Sequence, residues 1–347
     1  MVWTPPLPNG IAMCKVEESN NHLNEEEESA MNVTTIGLDI AKNVFQIHGV
    51  DANGKVAIRK QLKRSQLLAF FANLLPCLID LKACGGAHRW AQELLKLGHE
   101  ARLISPLFVK PYVKGNKNDA NDAEAICEAV ERSNMRFVPI KSLEQQDIQM
   151  LHRVRSGLVK ERTAQANRWG LLSEYGIVSG QSLAQLRKRL PERVEDAENG
   201  LPTAARQIFA DLHQQLIERY RQVSAYGEKI RVLHQSSAVS KTLGTVPGIG
   251  PMTATALLAS LGEGKAFDKA RQVPAWLGLV PKQDSSGGKP KLLGISKRGD
   301  TYLRTLLIHG ARAAVKAAVA VANKNARIAW ALLTRTESYH VPVPVGT

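Results

Sequence analysis

The stretch TTIGLDIAKNVFQIHGVDANGKVAIRKQL, residues 34–62, decides the fold of the first half of the chain. It begins with an apolar segment, TTIGLDIA, and continues with VFQIHGV and KVAIRKQL, in which apolar and polar residues alternate with period two. Between the two alternating segments, Asp51-Ala52-Asn53-Gly54 supplies residues that favour a tight turn. The stretch therefore predicts a strand and a hairpin that begin a β-sheet.

The following residues alternate between predicted helices and strands. SQLLAFFANLL predicts a helix, LIDLKACGG a strand that runs into a glycine turn, HRWAQELLKLGH a helix ended by Gly98, and EARLISP a further strand. NDANDAEAICEAVERS predicts a helix that starts at an Asn or Asp, and FVPI closes the domain near residue 140. Hairpin strands followed by alternating helices and strands predict an α/β domain over residues 32–140.

The rest of the chain divides into segments of different composition. Residues 141–238 carry sustained apolar spacing, for example Leu151, Val154 and Leu158, and predict a helical hairpin or coiled-coil arm. Residues 239–335 predict a mostly α-helical domain, and residues 336–347 a loose tail. Residues 1–31 mix Pro, Asn and Glu without periodicity, which predicts a disordered acidic extension. The sequence is compatible with a translation start at Met1, Met13 or Met31.

The charge of the chain points to a polyanionic partner. The 347 residues carry a formal net charge of +14, and because residues 1–31 contribute −5, the remaining body carries +19. The sequence contains no run of about 18 apolar residues and no basic start before an apolar stretch, so we expect a cytoplasmic protein with no membrane span and no secretory signal. The cysteines Cys14, Cys77, Cys84 and Cys127 lack the spacing of a zinc site, and we expect them to be reduced.

Three carboxylates form a candidate catalytic set. Asp39 lies within the first apolar strand, and Asp119 and Asp122 lie three residues apart, on one face of a predicted helix. Taken separately, Asp39 is typical of a strand end and the Asp pair of a helix N-terminus. Taken together they favour chemistry, because a buried strand aspartate must be paired or metal-bound. Phosphodiester chemistry, moreover, uses clustered carboxylates to hold divalent ions about 4 Å apart.

These residues resemble the insertion-sequence-110 family of transposases, in particular its 1111-type branch of RNA-guided DNA recombinases. The resemblance covers about residues 33–335. It implies a ribonuclease-H-type, RuvC-like domain whose DEDD motif falls on Asp39, position 82, Asp119 and Asp122, with Mg²⁺ as the metal. It also implies partners and a place of action: DNA at the element ends and at the target, a structured guide RNA, a dimer or tetramer of the chain, and the bacterial nucleoid.

Position 82 departs from the pattern, because the resemblance implies Glu where this chain has Lys82. An ammonium group in a two-metal site would repel the metal ions and could itself occupy one metal position. Three alternatives follow. The copy is weakened or inactive, Asp80 supplies a carboxylate from two residues away on the same strand face, or the site tolerates the change.

The densest chemical signal in the carboxyl half is LGLVPKQDSSGGKPKLLGISKRGDTYLR, residues 277–304. Residues 281–335 contain eleven Lys or Arg against two Asp, a local charge of +9 that can neutralise phosphates. A serine beside glycines is by itself typical of a turn in a flexible loop. The resemblance implies that Ser286, directly before Gly287, is a nucleophile that attacks a DNA phosphate, with Ser285 as the alternative. Its activation would come from metal ions or carboxylates of the other domain or of another subunit.

Candidate phosphate contacts surround this serine. Lys289, Lys291, Lys297, Arg298 and Arg304 are predicted to bind nucleic acid, and a solvated basic face is the alternative. TVPGIGPMTATALL resembles a helix-hairpin-helix element in which Gly248 and Gly250 let backbone N–H groups approach a phosphate, and the alternative is an ordinary Pro/Gly link between core helices. Trp90 and Trp276 are predicted to be core aromatics.

Three functions are consistent with these features. The first is a recombinase that cuts and rejoins DNA with Ser286 and the carboxylates. The second is a nucleic-acid-binding relic of the same fold that has lost cleavage through Lys82. The third is a RuvC-like junction nuclease that uses water as the nucleophile, a hypothesis that leaves the serine segment unexplained.

Overall fold

The computed structural model describes residues 33–115, 118–178, 183–314, 318–335 and 339, and the chain divides into two compact units at Ile140/Lys141. The predictions for residues 1–31 and for most of the tail therefore lie outside the described residues. Within the described part, no single helix is long and apolar enough to cross a membrane. Among the described helices, the bent pair Thr301–Ala314 and Ala318–Thr334 satisfies the length and composition of a span when the two are taken together.

The first unit is built on a six-stranded mixed sheet with the order β3-β2-β1-β4-β5-β6. Its strands are β1 (Thr35–Ile40), β2 (Val44–Val50), β3 (Val56–Lys63), β4 (Leu78–Lys82), β5 (Glu100–Ile104) and β6 (Phe137–Val138). Its helices are α1 (Leu67–Ala72), α2 (Ala87–Lys96), α3 (Pro106–Val109) and α4 (Asp119–Val130). The hairpin and the alternation expected from the sequence are confirmed. The mixed sheet with its helices is consistent with a ribonuclease-H-like domain.

The sheet changes direction at β1, which lies at its centre. β1 pairs antiparallel with β2 and parallel with β4, and β4 pairs parallel with β5. The interior contains fully buried residues such as Ile36, Leu38 and Phe71, and Trp90 packs edge-to-face on Phe45. The prediction that Trp90 is a core aromatic is confirmed. The parallel pairing places the carboxyl ends of β1 and β4 side by side.

Helix α4 packs directly on β1 because Gly37 has no side chain. A Cβ built on Gly37 would lie 2.1 Å from the carbonyl oxygen of Ala123 and 2.7 Å from the backbone nitrogen of Cys127. Only glycine permits so close an approach of strand and helix. The contact fixes the height of α4 above the sheet and, with it, the position of the first turn of α4.

The second unit is mainly helical. Its helices are α5 (Leu143–Asn167), α6 (Leu183–Glu195), α7 (Thr203–Ser236), α8 (Ala238–Gly244), α9 (Pro251–Leu261), α10 (Gln272–Trp276), α11 (Thr301–Ala314) and α12 (Ala318–Thr334). The long helices α5 and α7 pack against each other, and α9 packs on both. One buried cluster joins α8, α9, α10, α11 and α12, with Leu257, Leu277 and Leu307 fully buried. A coiled-coil geometry for the helical segment stays a prediction.

The segment expected to be a flexible Gly/Ser/Lys loop is a β-hairpin. Strands β7 (Pro281–Gln283) and β8 (Leu292–Ile295) pair antiparallel, and Ser286 pairs with Lys289 at the tip. Gly287 and Gly288 have φ angles of +55° and +75°, and the N–H of Lys289 donates to the carbonyl oxygen of Ser286 at 3.1 Å. Positive φ at both central residues is typical of the type I′ turn that closes two-residue hairpins. The turn expected beside the glycines is therefore present, but it closes a hairpin instead of lying in a loop.

The described cysteines are free thiols, as expected. Burial raises the pKa of Cys77 to about 11 and that of Cys127 to about 12. Thiols held protonated in this way are poor nucleophiles.

Candidate active site

Asp39 and Lys82 meet because β1 and β4 run parallel. In that register Leu38 lies opposite Leu81, so Asp39 and Lys82 follow side by side at the carboxyl ends of the two strands. Asp39 is 5% exposed, and the Lys82 side chain is 21% exposed. The pair therefore lies at the edge of the core, with the aspartate buried and the lysine partly exposed to solvent.

The other two carboxylates come from the first turn of α4. Asn118 is the N-cap, and its side-chain oxygen accepts a hydrogen bond from the N–H of Ala120 at 3.1 Å. The helix then presents Asp119 and Asp122 on one face. Ligand oxygens of Asp39, Asp119 and Asp122 all lie within 4.8 Å of one another. The structure thus brings together the three carboxylates singled out in the sequence, in a set that we call the carboxylate cluster.

The Lys82 ammonium group lies inside the carboxylate cluster. Its Nζ is 2.7 Å from Oδ1 of Asp39 and 2.9 Å from Oδ2 of Asp122, to which it donates a hydrogen bond. Burial alone would lower the pKa of Lys82, but the hydrogen bonds and negative charges of Asp39 and Asp122 raise that pKa above its ordinary value. The lysine therefore carries a full positive charge at neutral pH.

The cluster offers the donor chemistry of a divalent-metal site. Carboxylate oxygens are the ligands that hard cations such as Mg²⁺ prefer, and three of them converge here. The ammonium group between Asp39 and Asp122 competes for the same oxygens. The residues present therefore fit a divalent ion.

Asp80 does not belong to the carboxylate cluster. It lies opposite Gly37 in the β1–β4 register and is fully buried, and neither carboxyl oxygen has a hydrogen-bond partner among the described residues. Burial raises the pKa of Asp80 to about 8, against a smaller opposing effect of Arg102. Asp80 is thus a mainly protonated core residue at neutral pH. Asp80 therefore does not supply the carboxylate that the resemblance implies at position 82.

The two candidate serines differ in their hydrogen bonds. Oγ of Ser285 accepts from the backbone N–H of Lys291 at 3.0 Å and from Nε2 of Gln283 at 3.0 Å, which ties the two sides of the hairpin together. The hydroxyl of Ser286 is exposed at the hairpin tip and has no hydrogen-bond partner among the described residues. The geometry leaves Ser286 free for chemistry and gives Ser285 a structural role.

The predicted basic contacts separate into two groups. Lys289, Lys291, Lys297 and Arg298 are exposed. Arg304 is only 8% exposed, and its Nη1 donates to the carbonyl oxygens of Leu277 at 3.0 Å and Arg298 at 2.9 Å. The prediction of Arg304 as a nucleic-acid contact does not match this placement. Its guanidinium is buried and donates its hydrogen bonds to backbone carbonyl groups, including that of Arg298.

The two glycines of the helix-hairpin-helix-like segment also differ. Gly248 has φ +86°, and a Cβ there would lie 2.8 Å from the carbonyl oxygen of Gly310, on α11. Gly250 is the exposed N-cap of α9, and a Cβ there would meet nothing within 4 Å. Gly248 is accordingly explained by packing against α11, as in a Pro/Gly link. Only Gly250 leaves room for a ligand at the start of α9.

Some determinants of the site were not identified from the sequence. The type I′ tip was missed although Gly287-Gly288 is a recognised hairpin signal, because the flanking strands are short and lack clear alternation. Gly299 was missed as well: its Cβ would lie 1.9 Å from the carbonyl oxygen of Trp276, so the Lys297–Gly299 backbone packs on the end of α10. Trp276, predicted to be a core aromatic, is 37% exposed beside Phe267.

Comparisons with known proteins bear on both units. An IS110-type DEDD transposase family model matches residues 36–175, and the model of the transposase IS116/IS110/IS902 family matches residues 240–327. A probable family 20 transposase of Pseudomonas aeruginosa is 48% identical over 335 residues, 89% of this chain and 99% of that protein.

Two further relatives come from named insertion sequences. The transposase for insertion sequence element IS1111A of Coxiella burnetii is 40% identical, with 96% of this chain and 98% of that protein covered. The transposase for IS1328 of Yersinia enterocolitica is 40% identical over 88% of this chain and 98% of that protein. With similarity at this level over nearly the whole chain, the protein belongs to the IS110/IS116/IS902 family of insertion-sequence transposases, enzymes that cut and rejoin DNA.

Proposed function

We propose that this chain is a 1111-type transposase that cuts and rejoins DNA with Ser286 as nucleophile and the carboxylate cluster as its metal-dependent partner. The observation that carries the proposal is the convergence of Asp39, Asp119 and Asp122 within 4.8 Å at the carboxyl ends of parallel strands. Ligands and catalytic groups of α/β sheets gather at that edge. The 40% identity to the IS1111A transposase supports the choice of branch.

In the proposed reaction, Oγ of Ser286 attacks a DNA phosphorus. The serine hydroxyl releases its proton to solvent as the new P–O bond forms. The P–O bond to the sugar breaks, the sugar oxygen takes up a proton from solvent, and the DNA is left joined to the serine. The phosphodiester energy is retained, so that a DNA hydroxyl reverses the step in rejoining. The exposed hydroxyl at the hairpin tip suits Ser286 to this role. Ser285 is already bound by Lys291 and Gln283.

The carboxylate cluster would hold the divalent ion, for which we propose Mg²⁺. Asp39, Asp119 and Asp122 are the proposed ligands. When bound, such an ion stabilises negative charge on phosphate oxygens and favours the deprotonated nucleophile. The reaction requires the cluster and Ser286 to act on one phosphate, supplied by one chain or by two copies in a dimer or tetramer.

Exposed basic residues are the proposed DNA and RNA contacts. Lys289, Lys291, Lys297 and Arg298 lie on or beside the hairpin that carries Ser286, and Gly250 leaves an open helix start. Such groups bind phosphates without reading sequence. Because these contacts do not select a sequence, we propose that a structured guide RNA selects the target. We also propose that the protein acts on DNA in the bacterial nucleoid.

One observation favours a second candidate function. The Lys82 ammonium group occupies part of the carboxylate cluster, as expected for a copy that still binds nucleic acid but cleaves it poorly. A junction nuclease that uses water is a further alternative. It differs from the proposed enzyme in forming no covalent protein–DNA product.

A trapping assay tests the proposed function. The full chain is incubated with labelled element-end and target DNA, flanking-element RNA and Mg²⁺, and covalent adducts are resolved on a denaturing gel. The chain and its Lys82→Glu variant are each tested with Ser286→Ala and Ser285→Ala. We expect an adduct that Ser286→Ala abolishes and that Ser285→Ala reduces but retains. DNA cleavage without any adduct would identify the water-dependent nuclease. Binding without cleavage by the wild-type chain, with cleavage restored in Lys82→Glu, would identify the relic.

A further inference from the structure

The carboxylate cluster already contains a cation, namely Lys82. Its Nζ makes ion pairs with two of the three carboxylates, at 2.7 Å to Asp39 and 2.9 Å to Asp122. These are shielded contacts, because the side chains of Asp39 and Asp122 are only 6% and 14% exposed. Breaking such a shielded pair is costly, because it leaves an uncompensated charge.

The charge of the cluster decides how many metal ions it can hold. Three carboxylates and one ammonium leave a net charge of −2. One divalent ion neutralises that charge, whereas a second would bring uncompensated positive charge into a partly buried site next to Lys82. Two-metal phosphoryl-transfer sites place their ions about 3.5–4 Å apart and need carboxylates on both sides.

The geometry agrees with the charge. One oxygen of Asp39, Oδ1, and one of Asp122, Oδ2, are at hydrogen-bond distance from the lysine and are thereby less available to a metal ion. Asp119 is the member of the cluster that Lys82 does not contact, and it makes no ion pair within the part of the chain that the structure describes. A position for one ion therefore remains on the Asp119 side.

We propose that this transposase has a single-ion active site, because Lys82 occupies the place of a second metal ion. Asp119 would be a ligand of the one divalent ion, and the ammonium group would stay between Asp39 and Asp122. The inference rests on the proposed function, because it takes the divalent ion to be the cofactor of that function.

Counting bound manganese tests the inference without measuring DNA cleavage. Equilibrium dialysis of the full chain against Mn²⁺ gives the number of ions, and the Asp119→Asn variant identifies those held at the cluster. Electron paramagnetic resonance then distinguishes an isolated Mn²⁺ ion from a magnetically coupled pair. We expect one isolated ion in the wild-type chain and two coupled ions in Lys82→Glu.

The matched control is Lys96→Glu, which makes the same charge change in the first unit. The Lys96 side chain is 69% exposed and pairs with Glu93, so this variant should keep one isolated ion. Two coupled ions in the wild-type chain, no ion, or one ion in Lys82→Glu would each overturn the inference. An adduct at Ser286 with two bound ions would refute the inference alone, and one bound ion without any adduct would refute the proposed function alone.

Discussion

At the scale of single residues, Asp80 and Lys82, which lie two residues apart on β4, differ in whether they carry a charge. Lys82 stays charged because two carboxylates contact its ammonium group. Asp80 is mainly neutral because the effect of burial on its pKa outweighs the opposing effect of Arg102. The position of Lys82 among the carboxylates could be anticipated from the sequence, since its place in the motif was recognised. The state of Asp80 could not, because it depends on how closely α4 covers Gly37.

The buried Asp80 predicts a dependence of stability on pH. Its pKa is raised from 3.8 to about 8, so over that range the folded chain keeps a proton that the unfolded chain releases. The free energy of unfolding must then fall as pH rises, by up to about 1.4 kcal/mol per pH unit from this group. We expect Asp80→Asn to remove this contribution, because asparagine does not ionise. The free energy of unfolding of the variant, relative to that of the wild type, should therefore increase from low to high pH.

Thiol labelling during denaturant unfolding measures this effect in the first unit, because Cys77 and Cys127 are buried there. Mass spectrometry of their peptides at several pH values gives the slope. Glu131→Gln, which alters an exposed carboxylate of the same unit, should retain the wild-type slope. Equal slopes for wild type and Asp80→Asn would show that Asp80 is ionised in the folded chain.

At the scale of elements, the turn that precedes α9 packs on α11 through two glycines, Gly248 and Gly310. A Cβ on Gly310 would lie 1.9 Å from the carbonyl oxygen of Gly248. We expect Gly310→Ala to destabilise the second unit by about 1–3 kcal/mol, the usual cost of overpacking. Chemical denaturation followed by circular dichroism, which is dominated by these helices, measures the change.

The control for this prediction is another helical glycine. Gly157 lies within α5, and a Cβ there would meet nothing within 4 Å. Gly157→Ala should leave stability unchanged or raise it by up to about 1 kcal/mol, because alanine favours helix. A Gly310→Ala protein as stable as the wild type would contradict the packing role assigned to Gly248.

Elements with strong local signals were predictable, and elements that depend on tertiary contacts were not. The alternation in residues 34–62 and the Asn118 cap are local, and both led to elements that the structure contains. The β7–β8 hairpin has short, mainly exposed strands without a clear pattern. Arg304 looked like one more basic surface residue, because its burial depends on carbonyl groups of a segment that the sequence places far away.

At the scale of the whole molecule, the charge of the body should appear in the salt dependence of nucleic-acid binding. Lys289 and Lys291 are exposed on the hairpin of Ser286. Each phosphate contact contributes about 0.9 to the slope of log K against log salt, so the double variant Lys289→Ala/Lys291→Ala should lower the slope by about 2. Fluorescence anisotropy with labelled DNA at several salt concentrations measures it.

The control is Arg221→Ala, because the Arg221 guanidinium is already paired with Glu218 at 2.9 Å. Its removal should leave the slope unchanged. A double variant with the wild-type slope would place the DNA contacts elsewhere on the basic body. The sequence indicated the polyanionic partner through its net charge, but it did not indicate which basic side chains are exposed.

Strand transfer by the wild-type chain and its Lys82→Glu variant tests the central claim most directly. That claim is that a lysine stands in the carboxylate cluster where the chemistry uses a carboxylate, 2.7 Å from Asp39 and 2.9 Å from Asp122. A purified reaction with donor DNA, target DNA, RNA and Mg²⁺ compares the two forms at equal protein concentration. We predict that Lys82→Glu joins more DNA than the wild type. Equal activity of the two forms would contradict the claim.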